Sequence, residues 1–312
     1  MAYYVAVDIG GTNMRAALFS AEGLVPLRRG RTPTRGPQRP QARLVALLQH
    51  IWPQEGRVVR IGVASPGPLD PVRGVILRTP NIPEWQNFPL ADHLRAIFGV
   101  AVTIDNDANL AALAEWRYGA GRGHDHLLYI TVSTGVGAGV IVGGRLLHGA
   151  RGLAGELGHV AVVADGPRCG CGQHGHLEAL ASGTAIARRA QEALAAGEKS
   201  SLAGLPAPPT ATAVARAARA GDALASRIMA EAAGHLGRAL AGFLHVFNPE
   251  VVVLGGGVIQ AGRIFLQPLE NTLRREVMHS AYLENLTLTT SALGEDAGLL
   301  GALTLARAKT VY

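Results

Sequence analysis

Residues 3–19 read YYVAVDIGGTNMRAALF and residues 127–142 read LLYITVSTGVGAGVIV. Each is an apolar, β-rich run, a turn of glycine and hydroxyl residues, and a second run that returns, so each predicts a β-hairpin. The same strand, turn, strand unit recurring more than a hundred residues later points to an internal duplication of a nucleotide-binding half. Around the first copy, hydrophobic spacing predicts a helix over 42–51, a buried strand over 58–64 stopped by Ser65-Pro66-Gly67-Pro68, and a helix over 90–98. A strand over 101–104 and a helix over 108–118 follow. Around the second copy, the alanine-rich stretch 177–221 is helical apart from a Pro-rich loop at 205–209, and 223–247 is one long helix. A buried strand over 251–254 runs into Gly255-Gly256-Gly257, and a last helix lies near 296–308. Alternating strands and helices with such a duplication imply α/β architecture in two lobes with a ligand-binding cleft between them.

Composition narrows the function. With 312 residues, 48% hydrophobic and 17% charged, the chain can bury a large core and is not a disordered protein. A formal charge of +6 admits a polyanionic partner. The basic residues are nevertheless scattered, and the densest run, 28–43, is broken by proline and carries no aromatic residue to stack on bases. That run reads as a solvated loop, and nucleic acid is not expected as a partner. The two cysteines, Cys169 and Cys171, lie too close for an ordinary disulfide, which suits a reducing cytoplasm. The opening residues have no basic region and soon meet Asp8, so they read as a first strand and not as a signal peptide. The longest uncharged run, 127–144, is too polar and glycine-rich to span a bilayer.

Phosphate chemistry is written into the turns. Asp8-Ile9-Gly10-Gly11-Thr12-Asn13 places a carboxylate at a strand end, two residues without side chains, then hydroxyl and amide donors. Such a turn can wrap phosphate oxygens with backbone N–H groups, and Asp8 is placed to hold Mg²⁺ through water. Read alone, the motif is also compatible with a plain tight hairpin. A second turn at 133–137, with Thr134 and Gly135, and the glycine run 255–257 weigh against that bland reading. Neither lysine, Lys199 or Lys309, follows a glycine, which excludes a P-loop, and the later glycine clusters lack dinucleotide-binding spacing. Phosphoryl transfer needs mainly positioning and charge neutralisation, and this set of groups supplies both.

Two further constellations carry chemistry. Asp105-Asn106-Asp107 sits where a strand ends and a helix begins, so Asn106 or Asp107 can cap that helix. A carboxylate there can also take the proton of an attacking hydroxyl. His159, Cys169, Cys171 and His176 form H-x9-C-x-C-x4-H, and two sulfur and two nitrogen donors suit a closed, tetrahedral, structural Zn²⁺ site. Buried cysteines and a loop histidine would be the bland alternative, and His174 is a fallback donor.

Asp8 to Thr12, Ser65-Pro66-Gly67-Pro68, Asn106-Asp107-Ala108-Asn109, Glu156-Leu157-Gly158-His159 and the run from Cys169 to Glu178 occur in that order across nearly the whole chain. Together they resemble the ROK family of sugar kinases and repressors, and Thr79 to Trp85 is most similar to its glucokinases and hexokinases. The resemblance implies the two-lobed actin-like ATPase fold, a duplicated ribonuclease H-like arrangement, with a small lobe at 1–107 plus 298–312 and a large lobe at 108–297. It implies ATP, Mg²⁺ and structural Zn²⁺, and a homodimer or homotetramer. Asp107 would be the general base and Asn106, Glu156, His159 and Glu178 sugar ligands, with Asn81 and Gly67 completing the cradle. Asp8, Gly10, Gly11, Thr12, Asn13, Thr134 and Gly135 would hold phosphates and Mg²⁺, and Gly255, Gly256 and Gly257 would lie against the adenosine. The family pattern has a third cysteine where this chain has His176, whose imidazole is itself a good zinc ligand. The expected reaction is transfer of the γ-phosphoryl of ATP to the 6-hydroxyl of glucose, with mannose as a further substrate. Alternatives are a kinase for N-acetylmannosamine or N-acetylglucosamine, a sugar-responsive repressor, and a zinc hydrolase. Asp8 lies too near the start for a preceding DNA-binding domain, and four protein ligands leave no open metal position for hydrolysis.

Overall fold

The computed structural model describes residues 1–79 and 82–308. The described residues form two compact units, one within Met1–Arg122, Leu146–Gly155 and Leu293–Tyr312, the other within Gly123–Arg145 and Glu156–Ala292.

The first unit opens with the expected hairpin, β1 (Ala2–Ile9) and β2 (Asn13–Ser20), followed by β3 (Arg28–Pro33), α1 (Pro40–Ile51) and β4 (Arg57–Ser65). A small antiparallel sheet of β5 (Leu69–Asp70), β6 (Val75–Arg78) and β7 (Gln86–Phe88) precedes α2 (Leu90–Phe98), β8 (Ala101–Asn106) and α3 (Asp107–Tyr118). The main sheet has the order β3-β2-β1-β4-β8, antiparallel in its first pairs and parallel from β1 to β8. Side chains alternate across a strand, and here both faces are covered. Val5, Val7 and Ile9 of β1 pack under Leu44 and Leu48 of α1 and Leu90 and Leu94 of α2. Ala6 faces the other way, with Ala17, Phe19 and Ala64, against Leu110 of α3 and residues Leu299, Ala302 and Leu303. This double burial explains why β1 reads as a continuous apolar run.

The second unit repeats the arrangement. Its strands β9 (Leu127–Val132), β10 (Val136–Val142), β11 (Arg145–Leu146), β12 (Val251–Gly255) and β13 (Thr287–Thr290) have the order β11-β10-β9-β12-β13, matching the first sheet position by position. Its helices are α4 (Leu177–Ala181), α5 (Gly183–Ala195), α6 (Ala211–Arg219), α7 (Ala223–Phe247) and α8 (Arg263–Glu276), while α9 (Ala297–Arg307) belongs to the first unit. Two sheets of one order, each opened by a hairpin around a glycine turn, are the duplicated ribonuclease H-like pattern of the actin-like ATPase fold. Among the described residues no helix is long and apolar enough to cross a membrane.

Three features depart from the sequence expectations. The run 28–43 is not one solvated loop: Arg28–Pro33 is an edge strand paired along β2 from Leu18↔Arg28 to Asn13↔Pro33, and α1 begins at Pro40. No side chain of β3 is buried, so the strand carries no hydrophobic period, and the open edge of β2 supplies its pairing. Helix α3 lies on the first-unit side of the boundary expected at residue 107, because Leu110 packs into the cluster shared with α9. The strands of the small sheet and β13 carry too few buried residues for a period to stand out, whereas α8 buries Phe265, Leu269, Thr272 and Leu273 at helical spacing and was open to a reading the sequence did not receive.

Candidate functional site

Sheet register decides what gathers in the first unit. Asp8 of β1 pairs with Ala64 of β4, and Ala64 pairs with Asp105 of β8, so the C-terminal ends of three parallel strands finish level. The turn Gly10–Asn13, the segment after Ser65 containing Gly67, and the Asp105-Asn106-Asp107 corner therefore share one sheet edge, the position where open α/β sheets bind ligands. The hairpin turn closes through Gly10 N–H donating to Asn13 O at 2.9 Å. Buried Thr34, just past β3, ties it from behind: its hydroxyl donates to Gly10 O at 2.7 Å and its N–H to Thr12 O at 2.8 Å. Asp8 is not alone. Arg15, opposite it on β2, donates Nε–H to Asp8 Oδ2 at 3.1 Å and adds a second contact from Nη2 to the same oxygen. A Cβ added at Gly298, in the first turn of α9, would lie 2.7 Å from Asp8 Cγ, so the carboxylate fills the space over that glycine.

At the corner both readings of the motif hold. Asn106 caps α3, its Oδ1 accepting from Ala108 N at 2.8 Å and Asn109 N at 3.2 Å. Asp107, half-buried as the first residue of α3, accepts from Ala108 N at 2.8 Å. Asn81 lies outside the described residues.

The second unit has its own edge. Gly255 pairs with Thr131, which brings the glycine run after β12 beside the turn after β9. Gly256 has φ +92°, and a Cβ there would meet Val132 O at 2.2 Å, so only glycine fits. The turn containing Thr134 and Gly135 is stapled as in the first unit: Thr184 Oγ1 donates to Thr134 O at 2.8 Å, and Gly183 N–H to Ser133 O at 2.7 Å. Glu178, on α4, accepts from Val136 N at 3.1 Å through Oε2.

Glu178 Oε1 also receives Cys169 Sγ at 3.5 Å, joining the turn to the Cys/His cluster. One ligand atom from each of His159, Cys169, Cys171 and His176 lies within 4.8 Å of all the others. Cys169 Sγ is 3.6 Å from His159 Nδ1, and Cys171 Sγ is 3.2 Å from His176 Nδ1. Zinc bonds of roughly 2.3 Å to sulfur and 2.0–2.1 Å to nitrogen give a tetrahedral S···N edge of about 3.6 Å. The donor set and its spacing therefore fit zinc, with His176 in the place of a third cysteine. His174 turns away, its Nδ1 3.2 Å from Gly166 O. With Nδ1 toward sulfur, His159 directs Nε2 to Glu156, 4.0 Å from Oε2. Burial pushes the Glu156 carboxyl above its ordinary value, against an opposing pull from His159, and pushes the Cys169 thiol up to about 11. A bound dication would reverse the second effect by stabilising the thiolate.

Two partners escaped the sequence reading. Arg15 was within reach, because a hairpin closed at residues 10–13 must set it across from Asp8. His148, which meets Asp105, carried no local signal.

The match of this chain to known proteins is extensive. A model described as the ROK family matches residues 4–309. A glucokinase from Thermotoga maritima is 40% identical over 303 residues, covering 96% of this chain and 95% of its own. The crystal structure of a ROK hexokinase from Thermus thermophilus is 40% identical, with a TM-score of 0.81 and 97% of each chain covered. That of a ROK family glucokinase from Streptomyces griseus, in complex with glucose and AMPPNP, is 35% identical with a TM-score of 0.84, covering 98% of this chain and 99% of the other.

Proposed function

This chain belongs to the ROK family, and from that premise we propose that it is an ATP-dependent hexose kinase that phosphorylates the 6-hydroxyl of glucose, with mannose as a second substrate. The observation that carries the reading is the shared edge of the first sheet, where register aligns Asp8 and its glycine turn with the Asp107 corner. A base and a phosphate cradle on one rigid edge are what in-line phosphoryl transfer asks of a protein.

In this reading Asp107 accepts the proton of the 6-hydroxyl as that oxygen bonds to the γ-phosphorus and the bond from phosphorus to the departing ADP oxygen breaks. Backbone N–H groups of the turns with Gly10, Gly11, Thr12 and Asn13, and with Thr134 and Gly135, hold the phosphates. Gly255 to Gly257 lies along the adenosine. Asp8 would hold Mg²⁺ through water, and Arg15 on Oδ2 keeps that carboxylate aimed. Bound Mg²⁺ supplies charge neutralisation for the transferring phosphoryl group. Asn106, Gly67, Asn81, Glu156, His159 and Glu178 contact sugar hydroxyls. His159, Cys169, Cys171 and His176 would hold a structural zinc, and four protein donors would leave it no open position for the chemistry. The unpaired thiols fit a cytoplasmic enzyme.

Following ADP release with Mg·ATP across glucose, mannose, fructose, N-acetylglucosamine and N-acetylmannosamine tests the assignment. Strong turnover with glucose and mannose and little with the N-acetyl sugars is expected. Turnover confined to an N-acetyl sugar would move the substrate while keeping the machinery, and none with any sugar would remove the kinase reading.

The Asp8 assignment has its own test. In an exposed helix, Gly→Ala stabilises by about 1 kcal/mol, but at Gly298 the new methyl group would occupy the space of the Asp8 carboxylate. Gly298→Ala is expected to raise KM for Mg·ATP and lower kcat while leaving the melting temperature close to that of the parent. A variant with unchanged Mg·ATP kinetics would free Asp8 from the metal role.

A further inference from the structure

Asp105 is a carboxylate that the reaction as proposed does not use, yet it is 1% exposed and sits two residues before the base. Its Oδ1 accepts from Asn106 N–H at 2.6 Å and from the Asn109 side-chain amide at 3.2 Å. Its Oδ2 faces His148 Nε2 at 2.7 Å. A buried carboxylate keeps its place only where donors surround it, and here the donors tie it to the residue before the base, to the first turn of α3, and to a loop 43 residues away.

We propose that Asp105 and His148 are a positioning pair for Asp107. The inference rests on the reading of Asp107 as the base. His148 Nε2–H donates to Asp105 Oδ2, which fixes both the imidazole and the carboxylate. Asp105 then holds the Asn106 backbone, and Asn106 in turn caps α3 through Ala108 and Asn109. Asp107 stands on that turn, hydrogen-bonded to the same Ala108 N–H. Without His148, Asp105 Oδ2 loses that donor, the carboxylate is held less firmly, and the turn carrying Asp107 loses its register. The cost falls on the geometry of the chemical step more than on ground-state binding, because neither Asp105 nor His148 is assigned to a substrate. A misplacement of about 1 Å at a reacting group costs roughly 100-fold in rate.

The test compares His148→Ala, His148→Gln, His148→Asn and Asp107→Asn for kcat, for KM of glucose and of Mg·ATP, and for melting temperature. His148→Ala is expected to lose about 10- to 100-fold in kcat with both KM values within about threefold of the parent. His148→Gln, whose amide N–H reaches the same oxygen, should recover most of that loss, and the shorter side chain of His148→Asn should not. A folded His148→Ala at the parent rate, or equal kcat for the Gln and Asn variants, overturns the pairing. The Gln and Asn comparison also decides the matter if His148→Ala does not fold. A lowered melting temperature with unchanged kcat would reduce the pair to a structural tie and overturn the proposal. Asp107→Asn at the parent rate would overturn the base assignment itself, whereas an inactive Asp107→Asn beside a fully active His148→Ala overturns the positioning role alone.

Discussion

Asp107→Asn is expected to lower kcat by about 10²- to 10⁴-fold, the range for removing a positioned general base, while glucose still binds. The substitution is nearly isosteric, and the amide oxygen keeps the acceptor that Ala108 N–H now uses at 2.8 Å. The cap of α3 is unaffected, since Asn106 supplies it. What is lost is the ability to hold a proton taken from the sugar hydroxyl. Steady-state ADP release gives kcat, and calorimetric titration with glucose gives the affinity that should stay within a few-fold of the parent. Turnover near the parent rate would take the base role from Asp107 and leave it as a helix-terminal residue.

Removing the metal is expected to have the second large effect. The purified protein should contain about one zinc per chain by elemental analysis. Chelation or Cys171→Ala should release it, lower the melting temperature and raise KM for glucose. Cys171 is exposed, so deleting its sulfur opens no cavity and reports on coordination alone. The effect should be severe because metal binding at a closed site is folding free energy for the segment that carries it, about 10 kcal/mol or more in small zinc peptides. The sugar effect follows from orientation, since Nδ1 of His159 faces Cys169 while Nε2 faces Glu156. His174→Ala is the control and should retain the metal, because that ring meets Gly166 O and not the cluster. Protein that purifies without zinc and a Cys171→Ala variant indistinguishable from the parent would together remove the metal site.

Much of this was legible because it is local. The hairpin at 3–19 and its echo at 127–142 depend on strand alternation and turn chemistry over fewer than twenty residues each, and the structure shows both. The Cys/His pattern named four donors that the structure brings together, with the bridges Ala161↔His176 and Arg168↔His174 folding the segment back on itself. Arg15 lay within the same local logic and could have been read from the hairpin register. Strand β3 could not, because its residues carry no buried side chain and its pairing comes from β2.

The amino-acid order alone thus determined the duplication, the glycine turns and the position of Asp107 at a strand-to-helix corner, all consequences of short-range periodicity, and it named the candidate donors at 159–176. Tertiary structure decided the rest. Asp8 and Asp105 fall level only because three parallel strands align in register. The placement of α3 in the first unit comes from the packing of Leu110 with Leu299 and Leu303 across nearly two hundred residues of chain. Asp105 acquires His148 through a loop 43 residues on. Such contacts are set by packing between segments distant in sequence, and no local pattern in either partner encodes which distant side chain will arrive.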